Sequence, residues 1–71
     1  MKLPRDVSGG DAVKALRRLG FTVTRQEGSH IRMTKARFHV AVPNHREILP
    51  KTLQTLLRQA GVSLEEFVDS L

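Results

Sequence analysis

The 71-residue chain has no cysteine, no tryptophan, no tyrosine and only three phenylalanines. The lack of cysteine excludes disulfide frameworks, thiolate metal sites and cysteine nucleophiles. Without tyrosine or tryptophan, base stacking on an aromatic sheet platform has no support. Phe21, Phe38 and Phe67 all fall on apolar stripes that read as core. No apolar run approaches the roughly 18 residues of a membrane span, and no signal-peptide pattern opens the chain. A chain of 71 residues has room for one domain, residues 1–71, and none for a multidomain enzyme. At this size only about 60% of the unfolded surface is buried on folding, so the core must be compact.

What the chain does have is positive charge. Twelve Lys and Arg against seven Asp and Glu give a net +5, with an isoelectric point near 10.8. Apolar residues at 39% and charged residues at 27% place it among globular rather than disordered chains. The surplus favours an anionic partner, either nucleic acid or a strongly acidic protein. A cysteine-free chain suits a reducing compartment, and the expected location is the cytoplasm.

Residues Met1 to Asp6 read as a short loose arm, with Pro4 discouraging helix. Ser8 then offers an N-cap with Asp11 at N3, and Val7 can pack against Ala12. Ala12, Val13, Leu16 and Leu19 form the apolar stripe of a basic amphipathic helix that Gly20 ends, and Gly9-Gly10 suggests a fraying first turn. Alternation predicts strands over Phe21–Gln26, Ser29–Thr34 and Arg37–Val42, with Phe21, Val23, Ile31, Met33, Phe38, Val40 and Val42 inward. Gln26-Glu27-Gly28 reads as a three-residue hairpin loop, and Lys35-Ala36 is a poor turn by composition. A polar loop from Pro43 to Leu49 leads to a second helix entered at Pro50, striped by Leu53, Leu56, Leu57 and Ala60 and ended by Gly61. Ser63-Leu64-Glu65-Glu66 is a capping box for a short third helix.

This order is an α+β fold: α-β-β-β-α with a three-stranded antiparallel sheet and a short C-terminal helix. Helices cover one sheet face and leave the other open. Strand parity gathers Thr22, Thr24, His30, Arg32, Thr34, Arg37 and His39 on the open face. A three-residue first loop sets His30 opposite Thr24 and Arg32 opposite Thr22, and a two-residue loop at Lys35-Ala36 sets Arg32 opposite His39.

A lone histidine on a polar strand face is most often a solvated surface group. His30 also has a chemical reading, because imidazole exchanges protons near neutral pH and Arg32 lies one pleat away. Phosphodiester cleavage needs a proton shuttle and positive charge on the non-bridging oxygens. RNA supplies its own nucleophile, the 2′-OH, so such chemistry requires neither metal nor cofactor. The spacing of His30, His39 and His45 matches no common zinc pattern, so a metal site is not expected. His39 can contact substrate from the same face, whereas His45 reads as solvated. Arg25, Arg32, Lys35 and Arg37 concentrate around the sheet and are the expected phosphate contacts, together with Gly28 and Ser29 of the turn. Lys14, Arg17 and Arg18 read as the solvated side of the first helix.

Several segments in this order resemble the HicA toxins. They are Ser8-Gly9, Leu19-Gly20-Phe21, Arg25-Gln26-x-Gly28-Ser29-His30, Val40-x-Val42-Pro43 and Thr52-Leu53-x-x-Leu56-Leu57-Arg58-Gln59-Ala60-Gly61-Val62-Ser63. The similarity runs from about Val7 to Phe67, and its sharpest parts are the Gly-Ser-His turn and the Leu-Arg-Gln-Ala-Gly helix end. Lys51 departs from it, standing where many relatives have glycine. The resemblance implies a double-stranded-RNA-binding-domain-like fold and an mRNA interferase of a type II toxin–antitoxin pair. It also implies a HicB antitoxin that masks the active site. It places the catalytic histidine at His30, behind the matching Gly28 and Ser29, and implies nothing for His39 or His45. Two other functions fit the same residues: a non-catalytic RNA-binding module, and a protein-interaction domain whose basic surface meets an acidic partner.

Overall fold

The computed structural model describes residues 4–71, so the start of the expected N-terminal arm, residues 1–3, lies outside the described residues. Its elements are α1 (Gly9–Arg18), β1 (Thr22–Glu27), β2 (His30–Lys35), β3 (Phe38–Pro43), α2 (Pro50–Ala60) and α3 (Leu64–Ser70). The three strands form one antiparallel sheet in the order β1-β2-β3. The α+β class and the order of elements are as the sequence predicts. Among the described residues, no helix is long and apolar enough to cross a membrane.

Local chemistry sets the helix boundaries. Ser8 Oγ accepts from Asp11 N–H at 3.0 Å while Asp11 Oδ2 accepts from Ser8 N–H at 3.2 Å, so the first helix opens on a reciprocal cap. Ser63 and Glu66 repeat the device at α3. Pro50 occupies the first turn of α2, where its missing N–H costs nothing. The core joins Leu16 of α1, Met33 and Val42 of the sheet, Leu53 of α2 and Phe67 of α3, each at most 1% exposed.

The structure differs from the sequence-based expectations at several points. Gly9-Gly10 forms the first turn of α1 rather than a loose lead-in: Gly9 is buried, and its N–H donates to His45 C=O at 2.8 Å. A Cβ there would stand 2.5 Å from Pro43 O and 2.8 Å from Asn44 Cα, so glycine permits the close approach of α1 to the loop after β3. That loop is less polar than its composition suggests. Ile48 is 2% exposed, and its N–H donates to Val7 C=O at 2.7 Å. The first hairpin loop has two residues rather than three. Glu27 pairs with His30 across Gly28-Ser29, and Gly28 holds the left-handed conformation at φ +56°. The second loop is Ala36-Arg37, one residue later than expected, with Ala36 at φ +53°. His39 therefore faces Thr34, and Arg32 faces Ala41 instead of His39.

A bulge between Val23 and Arg25 also shifts the register of β1. Beyond it Arg25, not Thr22, lies opposite Arg32, and Glu27, not Thr24, lies opposite His30. Two residues expected in the core are partly solvated: Val23 on the outer strand β1 is 46% exposed and Phe38 is 36% exposed. Phe38 leans over Gly61, whose added Cβ would meet the ring at 2.7 Å.

Candidate active site

Strand alternation and the hairpin register place His30. It is the first residue of β2, directly after the Gly28-Ser29 turn, with Glu27 of β1 on one side and Pro43 of β3 on the other. Its side chain is exposed and lines a cleft of about 420 Å³. Ala41 and Pro43 of β3, His45 and Glu47 of the following loop, and Thr52 and Gln59 of α2 also line this cleft. Thr52 and Gln59 share one helix face because they are seven residues apart, two turns.

A second cleft of about 500 Å³ adjoins it along β3, lined by Arg32, Arg37, Phe38 and His39, with Ala41 and Gln59 common to both. Here the basic groups collect. Arg32 Nε donates to Glu27 Oε1 at 2.5 Å, a diagonal cross-strand pair. That contact uses only Nε, so the two Nη groups keep their donor capacity for an anion. Arg25 Nη2 stands 4.0 Å from Glu27 Oε2, so one carboxylate orients two arginines from neighbouring strands. The Arg37 guanidinium lies 5.6 Å from the Phe38 ring centroid, and Thr34 Oγ1 lies 3.2 Å from His39 Nδ1. These pairs are exposed and contribute little to stability; their effect is to aim side chains.

Not every expected contact is gathered here. His30, Arg32, Arg37 and His39 line the paired clefts, and Arg25 joins them through Glu27. Lys35 does not. Its Nζ donates to Leu19 C=O at 2.7 Å and sits 5.9 Å from the Phe21 ring centroid. The cause is parity: Ile31, Met33 and Lys35 alternate onto the helix-bearing face, so Lys35 closes the C-terminal end of α1. Gly28 and Ser29 are turn residues, and Ser29 C=O accepts from Asn44 N–H at 2.5 Å. No group of three or more His, Cys, Asp or Glu side chains is arranged to hold a metal ion among the described residues.

Sequence reasoning passed over Gln59, Glu47 and the position of His45. Gln59 stands in the helix end that carries the resemblance, but its place on the cleft wall follows only from the packing of α2 beside β3. His45 and Glu47 reach the cleft because Pro43 pairs with His30, a register that the misjudged hairpin loops concealed.

A family model described as the HicA toxin of bacterial toxin–antitoxin systems matches residues 9–62. That span runs from the first helix to just past Gly61, and so includes the Gly-Ser-His turn, both clefts and α2. No curated protein sequence matches the chain. The family match covers well over half of the sequence and contains the residues that build the paired clefts, and the chain belongs to the HicA family, the toxins of bacterial toxin–antitoxin pairs.

Proposed function

We propose that this toxin is an endoribonuclease that cleaves mRNA without a metal, by attack of the substrate's 2′-OH on the adjacent phosphorus. His30 acts as general acid/base. A HicB-type antitoxin neutralises the toxin by covering the same surface. The observation that carries this reading is the placement of His30: an exposed imidazole on a cleft wall, held between two hydrogen-bonded strands and next to a cleft lined with arginine.

In-line attack of the 2′-oxygen builds negative charge on the non-bridging phosphate oxygens. Arg32 and Arg37, with Arg25 at the margin, supply the compensating charge. A proton must leave the 2′-oxygen and another must reach the departing 5′-oxygen, and an imidazole suits such transfers near neutral pH. The antitoxin follows from family membership and from the surplus of five positive charges, which fits an acidic partner.

End-group analysis of cleaved RNA in the presence of EDTA tests the mechanism. The expected products carry 2′,3′-cyclic phosphate and 5′-OH ends, and EDTA leaves the rate unchanged. Products with 3′-OH and 5′-phosphate ends, or activity lost to EDTA and restored by a divalent ion, would contradict it. RNA bound tightly but left intact would favour the non-catalytic RNA-binding module.

A further inference from the structure

We propose that His45 is a second proton-transfer residue working with His30 across the cleft. The inference rests on the endoribonuclease reading above and extends it from one histidine to two.

The chemistry asks for two groups. In the displacement the 2′-O–H bond breaks and its proton passes to a neutral imidazole. The 2′-O–P bond forms, and the P–O5′ bond breaks with its electron pair going to O5′. An imidazolium then protonates O5′. The attacking and leaving oxygens stand on opposite sides of phosphorus, so one imidazole is poorly placed to serve both at once. At the end of the step the two rings have exchanged protonation states, and water resets them. No oxidant, metal or covalent intermediate enters.

The backbone provides the pair. Ser29 C=O accepts from Asn44 N–H at 2.5 Å, and the residues that follow these two partners are His30 and His45. One hydrogen bond thus ties the backbone just ahead of one imidazole to the backbone just ahead of the other. The His45 side is fixed twice more: its C=O accepts from Gly9 N–H at 2.8 Å, and Ile48 N–H donates to Val7 C=O at 2.7 Å. These bonds hold the backbone beneath an exposed imidazole, and a proton donor must hold its position to be effective.

Both imidazoles line the same cleft of about 420 Å³, large enough for a phosphodiester and its flanking sugars. The third histidine, His39, lines the adjoining cleft, with Nδ1 at 3.2 Å from Thr34 Oγ1. Besides His45, the titratable residues that line this cleft are His30 from β2 and Glu47 from the same loop; β3 contributes Ala41 and Pro43, and α2 contributes Thr52 and Gln59.

The test compares wild type, His30→Ala, His45→Ala and His45→Gln on one oligoribonucleotide, following cleavage rate against pH alongside melting temperature. Wild type should show a bell-shaped profile. Each His45 variant should keep the wild-type melting temperature, lose one limb of the bell and slow by roughly 10²- to 10⁴-fold. Gln retains hydrogen bonding without proton transfer, so it should fail as Ala does. A second substrate carries sulfur in place of the 5′-oxygen at the mapped cleavage site; thiolate departs without a proton. Whichever histidine is the acid, its Ala variant should recover on this substrate and the other should not.

Wild-type rate and both limbs in His45→Ala, with His30→Ala inactive, would overturn the pair and leave His30 alone. Full rescue by Gln would reduce His45 to a hydrogen-bonding group and also overturn it. An inactive wild type would remove the endoribonuclease reading and the pair with it; an active His30→Ala would leave the cleavage standing and overturn the pair by removing His30.

Discussion

Gly9 illustrates how one residue without a side chain can position a site. Its N–H holds His45 C=O, and the absent Cβ leaves room for Pro43 O and Asn44 Cα. The Gly9→Ala substitution drives a methyl group into backbone that cannot swing aside, so we expect a loss of about 1–3 kcal/mol, read by denaturant unfolding. Cleavage should fall as well, because the displaced segment carries His45. An unchanged midpoint would show that the loop yields freely. Nothing adjacent in sequence marks Gly9 for this contact; a glycine at a helix start reads as weak helix, and the partner loop lies far along the chain. Lys35 was misplaced for a different reason: its charge suggested phosphate, while its parity directed it to the end of α1. The position of His30, exposed at the start of β2, was legible because the Gly-Ser turn marks where the strand begins and alternation sets its face.

Elements with capping chemistry were read directly, and those governed by pairing were not. Ser8 with Asp11 and Ser63 with Glu66 state where their helices begin. Replacing Ser63 by Ala removes the acceptor for Glu66 N–H at 3.1 Å and should cost about 1 kcal/mol. A midpoint shift by circular dichroism checks this, and no shift would mean that α3 is held by Phe67 alone. The strands are harder. Val23-Thr24-Arg25 holds a bulge without the glycine or proline that would announce one, and Ala36 takes a left-handed turn position where Gly or Asn would be the usual signal. The bulge shifts β1 by one residue and so turns Arg25 and Glu27 onto the open face, whereas the later turn shifts β3 by two residues, which keeps its faces and changes its partners. Register decides the site here, since pairing of His30 with Pro43 is what carries the His45 loop to the cleft.

At the scale of the molecule, the helices occupy one sheet face and leave the arginines and histidines around β2 and β3 to solvent. In the proposed reading one surface meets both RNA and antitoxin, so inhibition and substrate exclusion are the same event. Replacing Arg32 by Glu should weaken both complexes. It should also reduce the steepness of the salt dependence of single-stranded RNA binding by about 0.7 in the log–log slope, the share of one phosphate contact. Filter binding across a salt series reads the slope, and a titration with antitoxin reads the second complex. Antitoxin affinity unchanged by Arg32→Glu would separate the two surfaces.

The central claim is that His30 performs chemistry and supports neither fold nor binding. Its exposed side chain leaves no core cavity when removed, so His30→Ala should change stability by less than about 1 kcal/mol. RNA affinity should persist, because Arg25, Arg32 and Arg37 remain. The most direct measurement is the single-turnover cleavage rate of His30→Ala, with RNA affinity and melting temperature determined on the same preparation. The account predicts a rate lower by roughly 10²- to 10⁴-fold with the other two quantities near wild type. Cleavage at the wild-type rate would contradict it and move the chemistry to another residue, with His45 and then His39 the next to test; a collapsed melting temperature would make His30 a structural residue instead.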